Sequence, residues 1–209
     1  MRGIATVLGA MMVASAAQGD MVTSFSSSPG LVGLGAFDGS VSWDYSGTGR
    51  RGSLIVTLDN TSATELGGYL DAFGFNVVDG LNIKFQRNLS ENISRRWRMM
   101  RRVEADPLGT FDFALSLTKR FHGRGDTSDG LAQGTLRSFV FRVRGAESLL
   151  QDLTPSSFLD ESSGSRAFVA HFSGFSDGST DLVGAALPAP GALPLLAMGF
   201  GAMRRRRAR

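Results

Sequence analysis

The segment Arg95-Arg96-Trp97-Arg98-Met99-Met100-Arg101-Arg102 gathers five arginines and a tryptophan in eight residues. Guanidinium groups pair with carboxylate, sulfate or phosphate, and an indole stacks on a ring, so the segment is a candidate grip for a polyanion. Written as a strand, Arg96, Arg98, Met100 and Arg102 share one face, and Arg95, Trp97, Met99 and Arg101 the other. Charge on both faces also suits a strand at the edge of a sheet, where it deters pairing with another chain. The edge reading is the simpler one. As a binding site, the segment would take an acidic surface polysaccharide rather than nucleic acid.

Other chemistry is sparse. The chain has no cysteine and only two histidines, His122 and His171. That excludes a disulfide framework, a thiolate zinc site and a cysteine nucleophile. Gly174-Phe175-Ser176-Asp177-Gly178 has G-x-S-x-G spacing. The hydrolase elbow, however, needs a strand, a turn and a helix, with an acid and a histidine after it. Both histidines precede Ser176, so a secreted serine hydrolase is the weakest hypothesis, and no catalytic residue is assigned. His171 is expected to face solvent from a strand. Gly47-Thr48-Gly49-Arg50-Arg51-Gly52 matches G-x-G-x-x-G, but strand-like sequence follows in place of the helix that would hold a pyrophosphate. A hairpin loop fits better. The acidic turns at 126–130 and 177–181 offer carboxylates at alternate positions. Asp177 and Asp181 form the better calcium pair, without the full series of an EF-hand. No cofactor is called for.

The elements that must position these residues have a period of two, not 3.6. Across 110–118, Phe111, Phe113, Leu115 and Leu117 face one way and Asp112, Ala114 and Ser116 the other. Leu54, Val56 and Leu58; Phe73, Phe75 and Val77; Phe139, Phe141 and Val143; Phe168, Ala170 and Phe172; and Val41, Trp43 and Tyr45 repeat the pattern. Turn signals such as Asp79-Gly80, Asp129-Gly130 and Asp177-Gly178 separate the runs. Such strands, each with one apolar face, predict an all-β domain: a two-layer antiparallel β-sandwich, Ig-like or jelly-roll-like, with an aromatic core. One short helix is expected after Thr154 as N-cap and Pro155 at the first helical position.

The two ends differ from the body. Met1-Arg2, an apolar run to Val13 and Ala14-Ser15-Ala16-Ala17 have the three parts of a signal peptide, assigned to 1–17. The ectodomain is placed at 18–183 and a sorting tail at 184–209. Residues 182–203 carry no charge, and Arg204-Arg205-Arg206-Arg207-Ala208-Arg209 follow. A helix over 191–203 would rise roughly 20 Å, a marginal span for a ~30 Å hydrocarbon core, with the arginines on the cytoplasmic side. Removing Arg2 and the five tail arginines from 22 basic residues leaves 16 against 19 acidic ones. The body is thus mildly acidic despite a formal charge of +3 for the chain, which does not favour a general nucleic-acid binder.

Pro188-Ala189-Pro190, the apolar stretch and Arg204 to Arg207 resemble the PEP-CTERM sorting tail of bacterial envelope proteins, with Ala189 where that motif has Glu. The resemblance implies processing by a membrane-embedded exosortase and delivery to the cell surface. Gly52-Ser53-Leu54-Ile55-Val56-Thr57-Leu58-Asp59-Asn60-Thr61-Ser62, Ala72-Phe73-Gly74-Phe75-Asn76 and the 168–175 run resemble exported β-sandwich proteins that carry such tails. The expected function is a non-enzymatic, exopolysaccharide-associated surface protein with a structural or interaction role. The alternative is a carbohydrate- or polyanion-binding module using Arg95, Arg96, Trp97, Arg98, Arg101 and Arg102.

Overall fold

The computed structural model describes residues 21–28, 30–122, 128–159 and 166–186. The assigned signal peptide, and the tail residues Pro188, Ala189, Pro190 and Arg204, Arg205, Arg206 and Arg207, lie outside them. Ten strands follow in chain order: β1 (Met21–Ser27), β2 (Phe37–Asp44), β3 (Arg51–Asn60), β4 (Gly67–Phe75), β5 (Asn82–Phe85), β6 (Arg98–Glu104), β7 (Thr110–Ser116), β8 (Leu136–Arg144), β9 (Phe168–Phe175) and β10 (Thr180–Ala186). All ladders are antiparallel, and the order across the sheet is β5-β8-β3-β2-β1-β10-β9-β4-β7-β6.

Two separate layers are predicted from the sequence; the ladders form one sheet. The reason is β1, which pairs with β2 on one side and with β10 on the other. The sheet curls, nearly into a barrel, so that β8 lies over β4. Phe139 meets Phe73 with ring centroids 4.7 Å apart, and Phe141 meets Phe75 at 5.5 Å. Alternation drives the curl. In β3 the residues Leu54, Val56 and Leu58 are buried while Ile55 and Thr57 between them are only partly so. One face of each strand therefore has to find cover.

All six runs read from the sequence are strands, although Tyr45, Val77 and Leu117 fall just outside β2, β4 and β7. β10 reaches past the predicted boundary at 183. Gly184 and Ala185 pair with Val169 and Phe168 of β9, so the domain includes residues placed in the tail. The G-x-G-x-x-G string makes the β2–β3 hairpin, with Gly47 and Gly49 at positive φ. Gly52, at the start of β3, is needed for a different reason. A Cβ there would come within 2.2 Å of the Trp43 ring. The expected helix is a 3-10 turn over Pro155–Phe158, closed by a capping box between Thr154 and Ser157. A further helix, α1 (Glu147–Asp152), precedes it. Among the described residues no helix is long and apolar enough to cross a membrane.

The two outer faces of the sheet differ. Over β4, β7, β9 and β10 a second apolar cluster forms from Ala72, Ala114, Phe121, Val169 and Leu182. Over β3 and β8 the outward residues are polar or charged at Arg51, Ser53, Thr57, Ser138, Arg142 and Arg144, and none of them is fully buried. Phe139→Ala removes the ring that meets both Phe73 and Trp97. It is expected to cost about 3–5 kcal/mol, read as a lowered urea midpoint. A loss below about 1 kcal/mol would mean that the two halves of the sheet do not share this contact.

Candidate functional site

The arginine-rich segment divides at Trp97. Among the described residues β6 is the last strand of the sheet and pairs only with β7, which makes 98–104 an edge. Arg98, Arg101 and Arg102 are exposed on it, and Arg102 has a φ of 50°, unusual for a residue with a side chain. Arg101 stacks over the Phe113 ring, 4.9 Å from its centroid. Arg95 is exposed, and Arg96 is paired with Asp129 at 3.3 Å. Trp97 does not stack on any ligand: it is fully buried, with its ring 5.1 Å from Phe139 and 6.0 Å from Phe73. Between β8 and β4 the curled sheet leaves an apolar gap, and the indole fills it. Arg87 holds the turn in place by donating to the Trp97 carbonyl at 2.6 Å. A cleft of about 460 Å³ lies beside this turn, lined by Asn92, Ser94, Asp129, Thr135 and Arg137 among others.

Asp181 is no calcium ligand. Its side chain is buried, and its two oxygens accept four backbone N–H groups. Oδ1 takes Val32 at 2.9 Å and Leu182 at 2.8 Å; Oδ2 takes Leu34 and Gly35, both at 2.9 Å. Those bonds occupy the lone pairs that a cation would need. Gly30 permits the approach, because a Cβ there would stand 2.3 Å from Oδ2. Asp177 stays exposed and accepts the Ser179 N–H at 2.9 Å, an ordinary acidic turn.

The constellation that the sequence does not reveal centres on Asp71. The β4–β9 register slips between Leu70 and Ala72, so Asp71 is the extra residue of a β-bulge. The bulge turns its carboxylate to the outer face, where β9 presents His171 and Ser173. The carboxylate only accepts, so His171 Nδ1–H donates to Oδ1 at 2.7 Å, and the Ser173 hydroxyl donates to Oδ2. All three side chains are buried. His171 is therefore not the solvent-facing residue predicted from alternation: Phe121 and His122 cover it, with the two imidazole centroids 5.5 Å apart.

A nucleophile needs a base in contact with it. Ser173 bonds the carboxylate rather than His171, and it is buried. Ser176 lies five residues beyond His171, just past the end of β9, a separation of roughly 15 Å along extended chain. The Ser176–His171 pairing that a hydrolase would need is not formed. The cluster instead ties β4 to β9 where the bulge interrupts their ladder.

Two measurements follow from this geometry. Asp181→Asn places an amide where four N–H donors converge, and it is expected to cost about 3 kcal/mol in denaturant unfolding; an unchanged midpoint would show that the carboxylate does not hold the 32–35 loop. The second concerns pH. Burial, then the neighbouring His171, hold His122 below the ordinary imidazole range, against the opposing pull of the Glu104 carbonyl, Asp71 and Asp106. The unfolded chain thus takes up this proton first. The His122 contribution to stability is complete above the unfolded pKa of 6.5 and is lost as pH falls through the lowered value. Thermal unfolding of the wild type is expected to weaken between about pH 7 and pH 5, with His122→Gln reducing that slope. A slope unaffected by the substitution would assign the effect elsewhere. No protein-family model, curated protein or solved structure matches the chain.

Proposed function

We propose that the chain is an exported, non-catalytic interaction protein of the bacterial envelope. A signal peptide over 1–17 directs export, and a PEP-CTERM-like tail is read by an exosortase-type enzyme, with at least transient residence in the inner membrane. In this reading the curled sheet acts as a two-layer β-sandwich whose layers are joined through β1 and β10. The observation that carries the proposal is the pairing of β1 with β10. The first and last described strands close on one another, and among the described residues the main core runs from Phe25 to Ala185. The described strands thus share one core of their own, which supports a reading of the two ends as address labels. Ala186, the last described residue, stands opposite Ser26 near the end of β1. A tail held at a membrane would leave the opposite pole and the outer faces open to the surroundings.

The inward commitment of the polar clusters supports a binding or scaffolding role over a hydrolytic one. Asp181 is saturated by backbone donors, and His171 and Ser173 both donate to Asp71 out of reach of solvent.

Expressed from its own start in a bacterium that encodes an exosortase, the full chain is expected in the envelope fraction, with a new N-terminus after Ala16 or Ala17. A chain ending at Ala186 should be exported and released. Pro188→Ala with Pro190→Ala should block processing near the motif. Recovery of the intact, uncleaved chain from cytosol would end the proposal.

A further inference from the structure

On the outer face of β3, β8 and β5 the register assembles a cation cluster that no continuous stretch of sequence contains. Arg51 of β3 stands directly opposite Arg144 of β8, and Asn82 of β5 lies on the far side of Arg144. One row along, Lys84 of β5 stands opposite Arg142 of β8, with Ser53 of β3 beyond. Four cations thus occupy two adjacent rows, and Arg50 flanks them at the hairpin, its Nε bonded to the Gly145 carbonyl at 3.4 Å. Like charges directly opposite one another across a ladder destabilise a sheet. The repulsion registers at Arg144, which Arg51 and then Arg142 hold below the usual guanidinium range.

No described residue neutralises this cluster. Among the described residues, Arg51, Lys84, Arg142 and Arg144 make no ion pair and no side-chain hydrogen bond. Asp44 stands in the row of Arg142 with Ser53 between them, and Glu147 acts on Tyr45 at the hairpin end, but neither pairs with the cluster. The Arg142 Nε is buried without any acceptor, a donor that the fold leaves aimed at nothing of its own. Edge protection accounts for Lys84, because β5 is a terminal strand, but not for the arginines. β8 and β3 are interior strands, paired on both sides. Nor does overall charge account for it, since the body has fewer basic than acidic residues.

Two shallow clefts meet here. One, about 400 Å³, is lined by Arg50, Arg51, Asn82 and Arg144. The other, about 320 Å³, is lined by Asp44, Arg51, Ser53, Gln86 and Arg142 among others, so one carboxylate stands at its side. Arg51 belongs to both, so a ligand long enough to lie in the two clefts would pass over Arg51, Arg142 and Arg144, with Lys84 beside Arg142 in the same row. No exposed aromatic ring lies among their described linings to stack a base, as single-stranded nucleic acid would need. Guanidinium forks in rows instead suit repeating carboxylate or sulfate groups.

We propose that Arg51, Lys84, Arg142 and Arg144 form a binding site for an extended acidic polysaccharide. The preference for a polysaccharide over a nucleic acid rests on the export proposed above; the existence of an anion site does not. This site replaces the 95–102 segment as the polyanion contact.

The test uses the purified full chain in mild detergent, with alginate as the polyuronate, dextran as the neutral control and a short single-stranded DNA as the competing polyanion. Alginate is expected to bind with salt-dependent affinity and dextran not at all. Arg51→Gln with Arg142→Gln and Arg144→Gln should weaken alginate binding by roughly tenfold or more. Removing mutually repelling charges should leave the thermal midpoint equal or higher, so a loss of binding cannot be a loss of folding. Arg98→Gln with Arg101→Gln and Arg102→Gln should leave alginate binding within about threefold of wild type. Equal alginate binding by wild type and the first variant, or no alginate binding at all, would overturn the site. Tighter binding of the DNA would overturn the choice of polysaccharide. Cell fractionation reads export separately, so failure of that proposal would be seen on its own.

Discussion

The halves of this sheet are held together through β1 and β10. Among the described residues, Ser26 with Ala186 and Ser27 with Ala185 pair across that join. The chain after β1 continues the attachment by two further backbone bonds, Ser28 N–H to the Gly184 carbonyl and Leu31 N–H to the Leu182 carbonyl. Asp181 then takes over, gathering the N–H groups of Val32, Leu34 and Gly35 onto one carboxylate. Charge-assisted bonds of this kind are the stronger class of hydrogen bond. Their placement explains why one acidic residue can sit buried in a β-strand: it accepts the backbone N–H groups that follow Leu31, where the chain leaves the β10 ladder. With the join held, Phe25 of β1 reaches Phe168 of β9, their ring centroids 4.7 Å apart, and the aromatic core runs continuously from one half of the sheet to the other.

Much of this fold was legible in the sequence, and the pattern of what was not has a physical cause. Runs with large apolar residues at alternate positions announced β2, β3, β4, β7, β8 and β9, because a side-chain period of two survives whatever the partner strand is. β10 was read in part as the beginning of a tail. Its Leu182, Val183, Gly184, Ala185 and Ala186 are small or apolar on both faces, as suits a strand flanked by β1 and β9, and such a run lacks alternation. β5 has four residues, too few to show a period. Alternation correctly placed His171 on the outer face, but it could not show that Phe121 would fold over that face.

The site residues were harder to see because each depends on register. Asp71 reaches His171 only because the ladder slips by one residue at Leu70, and nothing in Tyr69-Leu70-Asp71-Ala72 signals a bulge. In sequence Arg142 and Arg144 alternate with Phe141 and Val143, Arg51 lies in the G-x-G-x-x-G string, and Lys84 has no charged neighbour within two residues. Their meeting is a property of the pairings of β8 with β3 and with β5. The 95–102 segment, by contrast, drew notice because its charges are adjacent in sequence, and adjacency in a strand sends neighbours to opposite faces.

The distribution of charge at the two terminal strands accounts for why the curled sheet stops short of a closed barrel. β5 presents Lys84, and β6 presents Arg98, Arg101 and Arg102. Both free edges therefore carry the same sign, which opposes their pairing with each other and with the edges of another copy. The gap between them is filled by the 86–97 connection instead of a strand ladder. Trp97 packs on Phe139 and Phe73, Ser90 supplies an acceptor to the Val140 N–H at 2.9 Å, and Gln86 N–H donates to the Val140 carbonyl at 2.8 Å. The 86–97 connection so caps β8 where β5 ends and delivers the indole into the core. An arginine-rich stretch with a tryptophan in it thus has a structural logic throughout: its cations keep an edge open, and its ring closes the seam that the open edge creates.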